Sequence, residues 1–173
     1  TSDDRVKLFL ALGCQVYSAY QRKLEDTKSI DFDDLIAQAS KLIRDTQGKC
    51  AIDLGPRKER RLRMGEIEYI LVDEFQDFSN EFHNLLNSIR EVNPSVRIVC
   101  VGDNWQAINS FAGSDLRFFE EFPTYFRNGS TVNLLTNHRS QKAIVDFGNK
   151  LMTGYGEPGT SAPDHTGGKV EVQ

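Results

Sequence analysis

The sequence predicts an α/β protein built round a parallel sheet flanked by helices, and three observations carry that expectation. Tyr69-Ile70-Leu71-Val72 is an apolar run too short for a helix, and it breaks at once into Asp73-Glu74. Val96 to Val101 is a second such run, ending in Gly102-Asp103. Between them Phe82, Leu85, Leu86 and Ile89 follow the i, i+3, i+4, i+7 spacing of one helix face, and Asn93-Pro94 stops it. Strand, helix, strand in that order implies parallel pairing with a right-handed crossover, so both acid-bearing strand ends reach one edge. In α/β sheets that edge is where ligands bind.

The remaining elements follow in chain order. Val6, Phe9, Leu10, Val16, Tyr17, Tyr20 and Leu24 recur near helical spacing and predict one long amphipathic helix over 4–25, with Gly13 a mild interruption. Asp31, Asp33 and Asp34 open a second helix, where the dipole favours carboxylates, and Leu35, Ile36, Ala39, Leu42 and Ile43 form its apolar face up to Gly48. Residues 48–65 hold Pro56 and a basic run, and read as an irregular connection or a short helix. Ser114 is placed to cap a short helix carrying Leu116, Phe119 and Phe122, closed by Pro123. Thr131 to Leu135 is a third strand candidate, and Ser140 is the expected cap of a helix carrying Ile144, Val145, Gly148, Leu151 and Met152. The stretch 153–168 is rich in Gly, Pro, Ser and Thr and reads as loop, with Lys169 to Gln173 starting a further strand.

With 173 residues, 39% hydrophobic and 27% charged, the chain can bury one ordinary core. No apolar run approaches a membrane span, and no charged start followed by an apolar centre marks an export signal. Cys14, Cys50 and Cys100 are few, odd in number and far apart, which suits reduced thiols in a cytoplasm, with Cys100 expected in the core. A net charge of −4 leans against nucleic-acid binding by charge alone. The run Arg57-Lys58-Glu59-Arg60-Arg61-Leu62-Arg63 is the local exception, either a solvated face or a phosphate contact.

Adjacent carboxylates at a strand end can divide labour, one holding a hydrated Mg²⁺ that carries substrate phosphates and the next polarising an attacking water. Asp73-Glu74 is therefore a nucleotide-hydrolysis candidate; acidic pairs also end strands as solvated turn residues, and the pair alone leaves both readings open.

Three stretches carry a resemblance: Leu71-Val72-Asp73-Glu74-Phe75-Gln76-Asp77, Val101-Gly102-Asp103-Asn104-Trp105-Gln106-Ala107-Ile108-Asn109-Ser110-Phe111-Ala112-Gly113, and Leu134-Leu135-Thr136-Asn137-His138-Arg139-Ser140. In order and spacing they resemble motifs II, III and IV of the UvrD/Rep branch of superfamily 1 DNA helicases. Ile30-Asp31-Phe32-Asp33-Asp34-Leu35 resembles the segment where that family's chain re-enters the motor core from an inserted helical subdomain. The resemblance implies a RecA-like motor fragment of the P-loop NTPase class. Residues 1–30 would end the helical subdomain, 31–127 would be the second half of a first RecA-like domain, and 128–173 would start a second.

It implies ATP and Mg²⁺ as cofactors, with Asp73 on the metal and Glu74 as general base. Gln76 and Asp77 would link the nucleotide site to neighbouring loops, Gln106 would sense the γ-phosphate, and Arg139 would reach that phosphate from the second domain. Phe32, Asn109 and Phe111 would line the channel for single-stranded DNA. The sequence departs from the family at Trp105 for a small acidic residue, Asn109 for tyrosine, Phe111 for tryptophan, Ala112 for arginine and His138 for tyrosine. Phe111 keeps a stacking surface, whereas Asn109 and Ala112 give theirs up.

The implied activity is that of an ATP-dependent DNA helicase moving 3′ to 5′ on single-stranded DNA and at duplex junctions, with the remainder of a parent helicase chain as partner and no membrane involved. No G-x-x-x-x-G-K-[ST] phosphate loop occurs; Gly167-Gly168-Lys169-Val170 lacks the first glycine and the final hydroxyl, so the chain by itself is expected to be inactive. The rival expectation is a degenerate, non-hydrolysing helicase-like domain that binds a partner or DNA.

Overall fold

The computed structural model describes residues 2–53 and 59–171. Packing divides them into two compact units. One runs up to Gly102 and includes Ile108–Asp115; the other takes Asp103–Ala107 and the chain from Leu116 onward.

In the first unit α1 spans Ser2–Thr27 and α2 spans Phe32–Asp45. Asp31 caps α2, its carboxylate accepting from Asp34 N at 2.8 Å. Gly48 then turns the chain at φ 72°, where an added Cβ would lie 2.9 Å from Val92 Cγ2. The stretch expected to be irregular or helical forms instead an antiparallel hairpin of β1 (Lys49–Asp53) and β2 (Glu59–Arg63), in register from Lys49↔Arg63 to Asp53↔Glu59. Cys50 and Leu62 pair across it and turn inward, while Lys49, Ala51, Arg61 and Arg63 are exposed. With one strongly apolar residue on β2, the two-residue period is invisible until the strands pair. Within the basic run, Arg63 is bound by Glu66 at 3.0 Å, and Arg57 and Lys58 lie outside the described residues.

The central expectation holds. Strands β3 (Tyr69–Val72) and β4 (Arg97–Cys100) pair in parallel, from Tyr69↔Arg97 to Val72↔Cys100, with α3 (Asn80–Val92) as the crossover. Ser79 caps α3, accepting from Phe82 N at 3.4 Å. The core gathers Ile43 of α2, Cys50 of β1 and Ile89 of α3, with Leu62, Met64, Ile70, Leu85, Val92 and Val96 against them. Cys50 rather than Cys100 is thus the core cysteine; Cys100 is half-buried, and that burial pushes its thiol up to about 12. Tyr69, Leu71 and Val99 point the other way and are exposed, Leu71 by 76%.

In the second unit two short helices follow, α4 (Arg117–Glu120) and α5 (Phe122–Tyr125). Pro123 sits in the first turn of α5 and opens that helix, because a missing N–H costs nothing there. Ser114, the expected cap, belongs to the first unit and bridges to Ser79. Aromatic pairs hold the short helices, with Phe118 against Tyr125 and Phe122 against Phe126, each with ring centroids 4.6 Å apart. Residues 131–135 form no strand; β5 is Thr136–Asn137, which pairs in parallel with β6, Thr160–Ser161, inside the stretch expected to be loop. Between them α6 spans Lys142–Leu151, with Gln141 rather than Ser140 at its cap. The Asn149 amide clamps Gly159, donating to its carbonyl at 2.8 Å and accepting from its N–H at 3.0 Å, so a side chain supplies bonds that a two-residue ladder cannot. Lys169 to Glu171 form no strand, and 172–173 lie outside the described residues.

Asn93 ends α3 and is buried, its Nδ2 donating to Met64 O at 2.9 Å and Ile67 O at 2.8 Å. Asn93→Ala removes the buried donor of both bonds, leaving Ile67 O without its amide partner and Met64 O with only the Ile67 N–H, and is expected to cost about 1–3 kcal/mol in urea unfolding. A loss below about 0.5 kcal/mol would show that water replaces the amide.

Candidate functional site

The acidic pair lies where β3 stops. Glu74 takes a left-handed conformation, φ 50° and ψ 45°, which re-aims the chain out of the strand. Its N–H donates to Asp73 Oδ1 at 2.9 Å, and its Oε2 accepts from Gln76 Nε2 at 2.7 Å. Gln76 is 3% exposed whereas Asp73 and Glu74 are exposed, so a buried amide holds a solvent-facing carboxylate in one orientation. Phe75 is buried and packs against Phe78, the rings tilted by 40° with centroids 4.6 Å apart, anchoring the turn.

The end of β4 completes this edge. Val101 N donates to Val72 O at 2.8 Å and Phe75 N to Val101 O at 2.9 Å, carrying the parallel ladder past the strand ends. A Cβ on Gly102 would lie 2.7 Å from Gln76 Oε1 and 2.9 Å from Phe75 N. Only glycine lets the two loops approach this closely. Further on, Asn109 Nδ2 donates to Asp77 Oδ1 at 2.9 Å, joining the chain that follows β4 to the acidic turn. The first unit thus brings Asp73, Glu74, Gln76, Asp77 and Asn109 together.

Gln106 and Arg139 belong to the second unit. Asp103 organises the Gln106 loop: Oδ1 accepts from Trp105 N at 3.0 Å, and Oδ2 accepts from Gln106 Nε2 at 2.8 Å. Arg139 stands on a turn built by Asn137, whose Oδ1 accepts from the backbone N–H of both Arg139, at 2.9 Å, and Ser140, at 2.8 Å. Its side chain is exposed and has no hydrogen-bond partner among the described residues.

The aromatic candidates are surface residues: Phe32 is 85% exposed at the start of α2, and Phe111 is 88% exposed. Neither fills the core of its unit. No three His, Cys, Asp or Glu side chains are grouped as a metal cage among the described residues. Asp73 and Glu74, two exposed carboxylates at a strand end, suit a cation that keeps several waters and takes one or two carboxylates, as Mg²⁺ does with phosphates.

The family model for the UvrD/REP helicase N-terminal domain matches residues 7–127. The chain belongs to the UvrD/REP helicase family. Among relatives of this UvrD/REP chain, the ATP-dependent DNA helicase PcrA of Leuconostoc citreum is 31% identical over 138 residues, 80% of this chain and 17% of that protein. DNA helicase IV of Escherichia coli (strain K12) is 29% identical over 148 residues, 86% of this chain and 19% of that protein. The ATP-dependent DNA helicase UvrD1 of Mycobacterium tuberculosis (strain ATCC 25618 / H37Rv) is 30% identical over 142 residues, covering 79% and 17%. The chain thus spans less than a fifth of the length of these relatives. No described helix of this UvrD/REP chain is long and apolar enough to cross a membrane.

Gly102 and Asp103 are the structural participants that sequence reasoning left without a role. A glycine directly after the apolar run Val96 to Val101 was the available signal, since it marks close backbone approach. Gly102→Ala is expected to displace the Glu74–Gln76 turn and lower the thermal midpoint by several degrees, by about 1–3 kcal/mol of overpacking. An unchanged midpoint would mean that the turn shifts freely.

Proposed function

We propose that this chain is part of an ATP-dependent DNA helicase or translocase that couples ATP hydrolysis to 3′-to-5′ movement on single-stranded DNA. The observation that carries the reading is the acidic turn after β3, where buried Gln76 orients exposed Glu74 beside Asp73, tied by Asp77 and Asn109 to the chain that follows β4. The names of the relatives, ATP-dependent DNA helicases among them, support it.

In this reading Asp73 holds Mg²⁺, which supplies charge neutralisation for the phosphate oxygens when bound. Glu74 takes the proton of the attacking water, and its bond from Gln76 keeps the carboxylate from swinging away. Gln106 and Arg139 act where charge grows on the γ-phosphoryl oxygens, Arg139 through a planar, permanently charged fork. The segments are assigned as 1–30 from a helical subdomain, 31–127 from a first RecA-like domain and 128–173 from a second. The phosphate loop and the cover for the apolar outer side of β3 and β4 then come from the remainder of the parent chain. Residues 1–173 alone turn over no ATP, having no cradle to place phosphates opposite Asp73 and Glu74.

In the parent protein Glu74→Gln should abolish nearly all turnover while sparing ATP binding, and Asp73→Ala should weaken Mg²⁺-dependent binding. ATPase assays with nucleotide titrations check both; activity within about tenfold of wild type, ~1.4 kcal/mol of barrier, would remove the catalytic assignment. A parent without any ATPase activity would favour the non-hydrolysing reading.

On the DNA side, Phe111 and Phe32 offer exposed rings on which unpaired bases stack, at ~1–3 kcal/mol per base. Phe111→Ala should weaken single-stranded DNA binding by roughly tenfold and uncouple ATPase from DNA, with a smaller effect from Phe32→Ala. Affinity and thermal stability measured on the same variants decide it, because lost stability with unchanged affinity would return both rings to a packing role.

A further inference from the structure

The loop that carries Gln106 has an unusual allegiance. Gly102 before it and Ile108 after it belong to the first unit, yet Asp103–Ala107 pack with the second, which also carries Arg139. Trp105 accounts for this. Its indole Nε1 lies 2.8 Å from where a Cβ of Gly156 would stand, with Cε2 at 3.5 Å and Cδ1 at 3.8 Å. Gly156 has φ 65° and, with Gly154 at φ 92°, forms the turn that ends α6. The Nε1 edge of the ring thus meets bare backbone at a left-handed position where a side chain would be strained and would push the ring away. Asp103 then transmits the ring's position to Gln106, since one carboxylate holds both Trp105 N and the Gln106 amide.

We propose that Trp105 is a positioning residue: seated on the Gly154–Gly156 turn, it anchors the Gln106 loop to α6, so that Gln106 and Arg139 move as one group. The role rests on the functional reading above, and it gives a physical reason for tryptophan where the family resemblance leads one to expect a small acidic residue.

The test uses the full-length protein that carries this chain, with Trp105→Ala, Trp105→Phe and Gly156→Val. Hydrogen exchange should quicken by ~10-fold at both 103–107 and 153–157 in Trp105→Ala and Gly156→Val, and stay unchanged over 97–101. Trp105→Ala should lower kcat by about tenfold with nucleotide affinity within about twofold, while Trp105→Phe restores most of the rate. The loss should not add to that of Arg139→Ala, as expected for residues acting in one group. Unchanged exchange at 153–157 in Trp105→Ala would overturn the anchor, and coupled exchange with unchanged kcat would overturn the positioning role. A wild type that hydrolyses no nucleotide would instead sink the functional reading, and the exchange arm separates that failure from a failure of the anchor.

Discussion

The acidic turn depends on one close backbone approach, the bond from Phe75 N to Val101 O with bare Gly102 beside it. A ladder of four residues on each strand is marginal by itself, and its register is fixed by the side chains that β3 sends inward. Ile70 packs on the cluster of Ile43, Cys50 and Ile89, so α2, β1 and α3 together set where β3 ends. Once β3 ends at Val72, the added ladder bonds decide the direction of the next residues, and the absence of one methyl group at Gly102 admits the Gln76 amide. Glu74 inherits its orientation from that amide. A carboxylate held in this way loses rotamer freedom before any substrate arrives, which is what preorganisation requires.

The two units are held by different means. The first uses regular ladders, capped helices and aliphatic packing, with left-handed residues at Lys28, Gln47 and Glu74, just past α1, α2 and β3. In the second unit the described strands are two residues long, and its helices α4 and α5 are single turns. Rings at 4.6 Å and asparagine side chains take over there, Asn137 gathering the turn under Arg139 and Asn149 clamping Gly159. Side chains that mimic backbone partners satisfy polar groups without a sheet, at the expense of tolerance, because an apolar residue at 137 or 149 leaves N–H groups without those acceptors.

What the sequence determined by itself is what local chemistry encodes. Two apolar runs, a helical period between them and a proline stop sufficed for β3, α3 and β4 in parallel, because a crossover of that length admits one hand. Asp73 and Glu74 were legible because charge ends an apolar strand abruptly, and the start of α2 because Asp31, Asp33 and Asp34 suit the helix dipole. Tertiary structure alone decided the features whose partners are distant. The β1–β2 hairpin needs Cys50 to find Leu62 and the core, β5 and β6 find each other across α6, and Pro123 opens a helix that it was expected to close. The interlock of Gln76 with Glu74, Asn109 with Asp77, and Trp105 with Gly156 is likewise invisible in order along the chain. Amides and rings have no periodicity to betray their partners; their meaning is fixed by the few ångströms of space that folding leaves around them.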